Sequence, residues 1–114
     1  MVSRPWVPRA GEIIRIDFNP TKGHEQAKDR PAVVLSGHGF NDRSGLVVCI
    51  PCTTKIKGNP FEVVIAGLNQ QTAALTHQIR TMDWRERGAT PLGSASPSEM
   101  VDILAKIQAL LGIR

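Results

Sequence analysis

Residues 12–36 read EIIRIDFNPTKGHEQAKDRPAVVLS, and the fold can be worked outward from them. The first seven alternate. Ile14, Ile16 and Phe18 fall on one side and Ile13, Arg15 and Asp17 on the other, the pattern of a half-buried strand. At Asn19 the alternation stops. The segment to Arg30 carries Pro20, Gly23 and a run of charges, and reads as a polar loop. Pro31 then opens an apolar strand, PAVVLS, at the place where a missing N–H does least harm. Charged loops that feed straight into buried strands are where rigid scaffolds display working side chains. Glu25 and Arg30 stand out in this one. A carboxylate can take up a proton, and a guanidinium keeps its charge at any working pH.

The rest of the chain extends the same plan. Gly37–Gly45 (GHGFNDRSG) reads as a second loop, its Asn and Asp suited to turns. Leu46–Thr53 is short and almost wholly apolar, as a central strand would be. A basic turn, Lys55–Pro60, leads to a fourth strand at Phe61–Ala66. A fifth is expected over Ala73–Met82, with Leu75 and Ile79 inward, and a short edge strand near Pro91–Ala95. Ser96-Pro97-Ser98-Glu99 is a capping box with proline at the first helical position. Met100, Ile103, Leu104, Ile107, Leu110 and Leu111 follow at helical spacing as a core-facing stripe, part of which could instead bury in a dimer, and Gly112 is placed to end the helix. Five or six short strands and one terminal helix predict a mainly β fold, a small, strongly curved sheet or barrel. With 114 residues, all of it should form one domain, 1–114.

Composition bounds the function. A net charge of +4 and a pI near 9.6 favour an anionic partner modestly. No apolar run approaches the roughly 18 residues that cross a bilayer. The start, MVSRPWVPRAGE, lacks a signal-peptide core, so no membrane association and a cytoplasmic location are expected. Cys49 and Cys52 have C-x-x-C spacing, which elsewhere marks redox or zinc sites. Here they lie on a strand, where positions i and i+3 point to opposite faces. They read as plain buried thiols, and neither a metal nor another cofactor is expected.

The chemistry-bearing residues lie in three polar groups. Lys22, Glu25, Lys28 and Arg30 form the first, Thr53, Thr54, Lys55 and Lys57 the second, and His77, Gln78 and Arg80 the third. Gathered at one end of the sheet, they would make a positive groove with a carboxylate inside it. That combination suits metal-free RNA cleavage, in which the ribose 2′-OH is the nucleophile. The protein then has to remove its proton and stabilise the extra charge of the phosphorane. Glu25 is the candidate base. Arg30 would contact phosphate oxygens as a two-pronged donor, and Thr53 would add a hydroxyl hydrogen bond. Each residue also has a plainer reading. Glu25 and Arg30 read as a solvated ion pair worth less than about 1 kcal/mol. The threonines read as strand-end residues, His77 as structural and Lys55–Lys57 as a soluble turn. Residue types and spacing stop at a small basic β-rich domain with RNA as one possible target.

Longer blocks take the reading further. GEIIRIDFNPTKGHEQAKDRPAVVLS, VVCIPCTTKIKGNPFEVVI and ALTHQIRTMDWRERG together resemble the MazF/PemK family of toxin endoribonucleases, from about Gly11 to the terminal helix. The resemblance implies an SH3-like barrel with a C-terminal helix, assembled as a homodimer. It implies metal-independent, sequence-specific cleavage of single-stranded RNA to 2′,3′-cyclic phosphate and 5′-hydroxyl ends. It also implies a MazE-like antitoxin partner with an acidic tail. The family's loop glutamate falls on Glu25, its arginine on Arg30 and its strand-end threonine on Thr53. Two positions depart from the pattern: Asp29 precedes Arg30 where relatives often carry histidine or a small residue, and His77 precedes Gln78 where many carry an acid. A gyrase-binding toxin of the similarly folded CcdB type, or an inactive RNA-binding barrel, are the competing expectations.

Overall fold

The computed structural model describes residues 5–19 and 29–113. In chain order they form β1 (Glu12–Asp17), β2 (Asp29–Val34), α1 (His38–Ser44), β3 (Leu46–Thr53), β4 (Glu62–Ile65), β5 (Thr72–Leu75), β6 (Arg80–Asp83), β7 (Thr90–Ser94) and α2 (Pro97–Leu111). All pairings are antiparallel, in the order β4-β5-β3-β2-β1-β7, with β6 on β3. The fold is therefore mainly β, one curled sheet with a C-terminal helix, as the alternating and apolar runs predicted.

The sheet has an apolar cluster on each face. Ile13, Val33, Ile50, Cys52, Val63, Ile65 and Ala74 face α2, which contributes Ile103 and Ile107. On the other face Ile14, Ile16, Phe18, Ala32, Val34, Val47 and Cys49 pack with Met82 and Trp84. A β-strand with apolar residues on both sides is buried on both, and β3 shows this: only its two ends and Val48 retain partial exposure. The ends of the curled sheet meet where β4 leads into Gly67. A Cβ built on Gly67 would stand 2.7 Å from the Ser94 carbonyl oxygen of β7, and one on Gly93 would stand 3.2 Å from the Gly67 oxygen. Glycine is needed there because backbone approaches backbone.

Three expectations are corrected. The expected loop at 37–45 contains α1. Its one buried side chain is Asn41, which accepts from Ser36 Oγ (2.6 Å) and donates to the Pro8 (2.9 Å) and Ser36 (3.0 Å) carbonyls. A helix held by one polar residue carries no apolar periodicity to read. Gly45, at φ +73°, ends it.

The fifth strand, expected over Ala73–Met82, is two strands along one edge of β3. Between the pairs Cys52↔Ala74 and Cys49↔Arg80, β3 advances three residues and the other chain six. The surplus bulges outward at Thr76–Ile79, anchored by Thr76, whose Oγ1 donates to the Phe61 carbonyl at 2.7 Å.

The helix cap is as expected. Ser96 Oγ accepts from Glu99 N–H, the Glu99 carboxylate accepts from Ser96 N–H, and Gly112 closes the end at φ +71°. The stripe is only half used. Ile103 and Ile107 are buried and Met100 partly so, whereas Leu104, Leu110 and Leu111 are 46%, 45% and 56% exposed in the single chain. Neither helix is long and apolar enough to cross a membrane.

Candidate active site

Strand β2 begins at Asp29, two residues before the proline that was expected to open it, so Arg30 stands on a strand and not in a loop. It pairs with Ile16 of β1. The β2–β3 pairs are Ala32↔Pro51, Val33↔Ile50 and Val34↔Cys49, a register that, continued two residues past its last pair, would set Arg30 level with Thr53. Cross-strand neighbours share a face, so both side chains lie on the Phe18 side of the sheet. Contacts agree: Arg30 Nη2 donates to the Cys52 carbonyl at 3.3 Å, and its guanidinium carbon lies 5.6 Å from the Phe18 ring centroid. Asp29, one position earlier, pairs with Asp17 and points to the opposite face from Arg30.

Thr53 is the last residue of β3. Its Oγ1 accepts a hydrogen bond from Lys55 N–H at 3.0 Å, so one lone pair is occupied and the O–H remains available to donate. Thr53, Lys55, Lys57, His77 and Gln78 line one cavity of about 240 Å³ with Asn59, Glu62 and Leu75. The bulge between β5 and β6 delivers His77 and Gln78 to it. The Glu62 carboxylate is committed to shaping its rim, accepting from Lys57 N–H (3.1 Å) and Gly58 N–H (2.7 Å). His77 is exposed and lies against Phe61, ring centroids 4.9 Å apart. Phe61 is 41% exposed and Phe40, on α1, 47%, so both are accessible aromatics.

Arg80, the first residue of β6, points to Phe18 as well, 5.5 Å from its centroid. Phe18, Arg80, Thr81, Met82 and Arg87 line a cavity of about 260 Å³. Arg87 Nη1 donates to the carbonyls of Asp17 (2.9 Å) and Asn19 (2.7 Å), holding the end of β1. Neither Phe18 nor Arg87 was singled out from the sequence. The position of Phe18, at the end of an alternating strand and the mouth of the charged loop, was the available signal. Thr54 is not brought to this end; it lines a separate cavity with Arg15, Pro31 and Gln70. Adjacent residues at a strand end point to opposite sides, which separates it from Thr53. Lys22, Glu25 and Lys28 lie outside the described residues.

The two cysteines fall in different apolar clusters, one on each face, and both are free and buried. Burial pushes the Cys49 thiol from 9.0 up to about 11, opposed by the Arg80 charge. It pushes Cys52 up to about 12, opposed chiefly by Arg30. Both are neutral thiols at physiological pH, and being on opposite faces of β3 they do not face each other.

The sequence matches, over residues 9–111, the family described as PemK-like, MazF-like toxin of type II toxin–antitoxin system. It is 51% identical over 112 residues to the endoribonuclease toxin MazF of Escherichia coli K12, covering 98% of this chain and 100% of that protein. It is 33% identical to endoribonuclease MazF9 of Mycobacterium tuberculosis, covering 83% and 88% of the two chains. The fold is similar to that of a crystal structure of MazE–MazF from Deinococcus radiodurans, with a TM-score of 0.89 and 38% identity over 96% of this chain and 100% of that one.

Proposed function

This chain belongs to the PemK-like, MazF-like toxins of type II toxin–antitoxin systems and is an endoribonuclease, and we propose that it cuts single-stranded messenger RNA at a preferred sequence without a metal ion. The attacking group is the ribose 2′-OH beside the scissile phosphate, and the products carry 2′,3′-cyclic phosphate and 5′-hydroxyl ends. Glu25 removes the hydroxyl proton, the 2′-oxygen bonds to phosphorus as the bond to the 5′-oxygen breaks, and the departing 5′-oxygen takes its proton from water. The N–H groups that Arg30 does not spend on Cys52 hold the non-bridging phosphate oxygens, and the Thr53 hydroxyl donates a hydrogen bond to the same group. Arginine stays charged throughout, so its contribution is electrostatic and not proton transfer.

The observation that carries this reading is the convergence of Arg30 and Thr53 from separate strands onto one sheet face, beside a cavity lined by Lys55, Lys57, His77 and Gln78. The lysines and Arg80 attract the RNA backbone. His77 with Phe61, and Gln78, offer stacking and edge contacts to unstacked bases. Lys22 and Lys28 complete the RNA-facing set.

The toxin acts in the cytoplasm as a single-domain homodimer, and a MazE-like antitoxin with an acidic segment silences it. The exposed apolar face of α2 and the +4 charge support these two assemblies. Primer extension on a long RNA incubated with the purified protein in EDTA tests the reading. Stops at a recurring short motif are expected; intact RNA, or cutting only after magnesium is restored, would contradict it.

A further inference from the structure

Phe18 sits 8% exposed at the end of β1, and its ring is shared by two guanidiniums, Arg30 at 5.6 Å and Arg80 at 5.5 Å. Neighbouring cations repel, and exposed arginines without a partner spread into water. The negative face of an aromatic ring offsets that repulsion, most effectively for the weakly hydrated guanidinium. The ring is itself held in place, because Arg87 binds the carbonyls of the residues on either side of it. We infer that Phe18 is a positioning residue that keeps Arg30 and Arg80 together as a two-arginine receptor for the RNA backbone before substrate arrives.

This rests on the proposed RNA cleavage for its catalytic consequence, though the arrangement itself is independent of it. An apolar side chain of similar bulk would fill the cluster around Ile14, Ile16 and Met82 equally well. The Cys52 carbonyl would still hold one Arg30 N–H, but only an aromatic ring would draw both guanidiniums to one point. Phe18→Leu and Phe18→Tyr separate the two roles.

The first measurement is NMR of the full-length protein without RNA, following the side-chain protons of Arg30 and Arg80. Ring-current shifts are expected in wild type and Phe18→Tyr and should vanish in Phe18→Leu. Unshifted protons in wild type overturn the inference, whether or not Phe18→Leu folds. The second is cleavage kinetics at matched folded fraction. Phe18→Leu should lose about tenfold in kcat with a smaller change in KM, and Phe18→Tyr should keep most of the activity. Phe18→Leu cutting at the wild-type rate also overturns it. If wild type cuts no RNA but shows the ring-current shifts, the proposed function fails while the positioning role stands.

Discussion

Arg30 is the residue on which the chemistry turns, and its environment defines what substitution should do. It makes one backbone contact and one ring contact, both on the face it shares with Thr53. Arg30→Ala should fold normally, because the guanidinium is not part of the apolar core. Cleavage in EDTA should fall by about 10²–10³, the usual consequence of deleting one preorganised donor to a developing negative charge. Unchanged rates with an unchanged circular dichroism spectrum would remove Arg30 from the mechanism. Arg30 and Thr53 could be named from the sequence because polar residues at the ends of apolar runs stand out. Residue types alone also allowed an ion pair and an ordinary strand-end threonine, and only the family blocks joined them. Thr54 was grouped with them by adjacency, and pleating put it on the other side. The thiols make a separate prediction. An acid whose pKa is raised on folding stabilises the native state fully below its unfolded value and loses that stabilisation as pH rises through the folded value. Urea midpoints should therefore fall as pH passes from about 9 toward the values near 11 and 12 at Cys49 and Cys52, and Cys49→Ala, Cys52→Ala protein should show a weaker fall.

At the level of elements, two local devices hold the site's frame. The first is the close approach of Gly67 to β7, which joins the ends of the curled sheet. Gly67→Ala would force backbone apart and should cost about 1–3 kcal/mol by urea denaturation, as overpacking does. A loss within error would mean that the sheet ends are not tightly joined. The second is the capping box of α2, where Ser96→Ala should cost about 1 kcal/mol. The capping box was fully legible, since its chemistry is local. The three-residue surplus between β5 and β6 was not, because a bulge is defined by pairing to β3 and not by its own residues. For the same reason α1, held by the hydrogen bonds of Asn41, was missed. The first omission bears on the site, because the bulge is what presents His77 and Gln78.

Taken as a whole molecule, the chain uses its sheet to carry side chains from distant segments to one end and leaves part of its helix uncovered. Leu104, Leu110 and Leu111 leave an exposed apolar patch on the helix of the single chain, and the proposed homodimer would cover part of it. The gathering of Thr53, Lys55, Lys57, His77 and Gln78 at one cavity could be anticipated from the sequence. How much of the helix stripe the single chain buries could not, because apolar spacing is the same whether a residue packs in the core or stays exposed. The central claim is that the substrate's own 2′-hydroxyl performs the attack while the protein supplies the base and the clamp. A short RNA containing the mapped cleavage motif, made with a single 2′-deoxyribose immediately 5′ to the scissile phosphate, isolates that step. In EDTA the all-ribose strand should be cut to a 2′,3′-cyclic phosphate and the substituted strand should stay intact while competing for binding. Cutting of the substituted strand at a comparable rate would contradict the account.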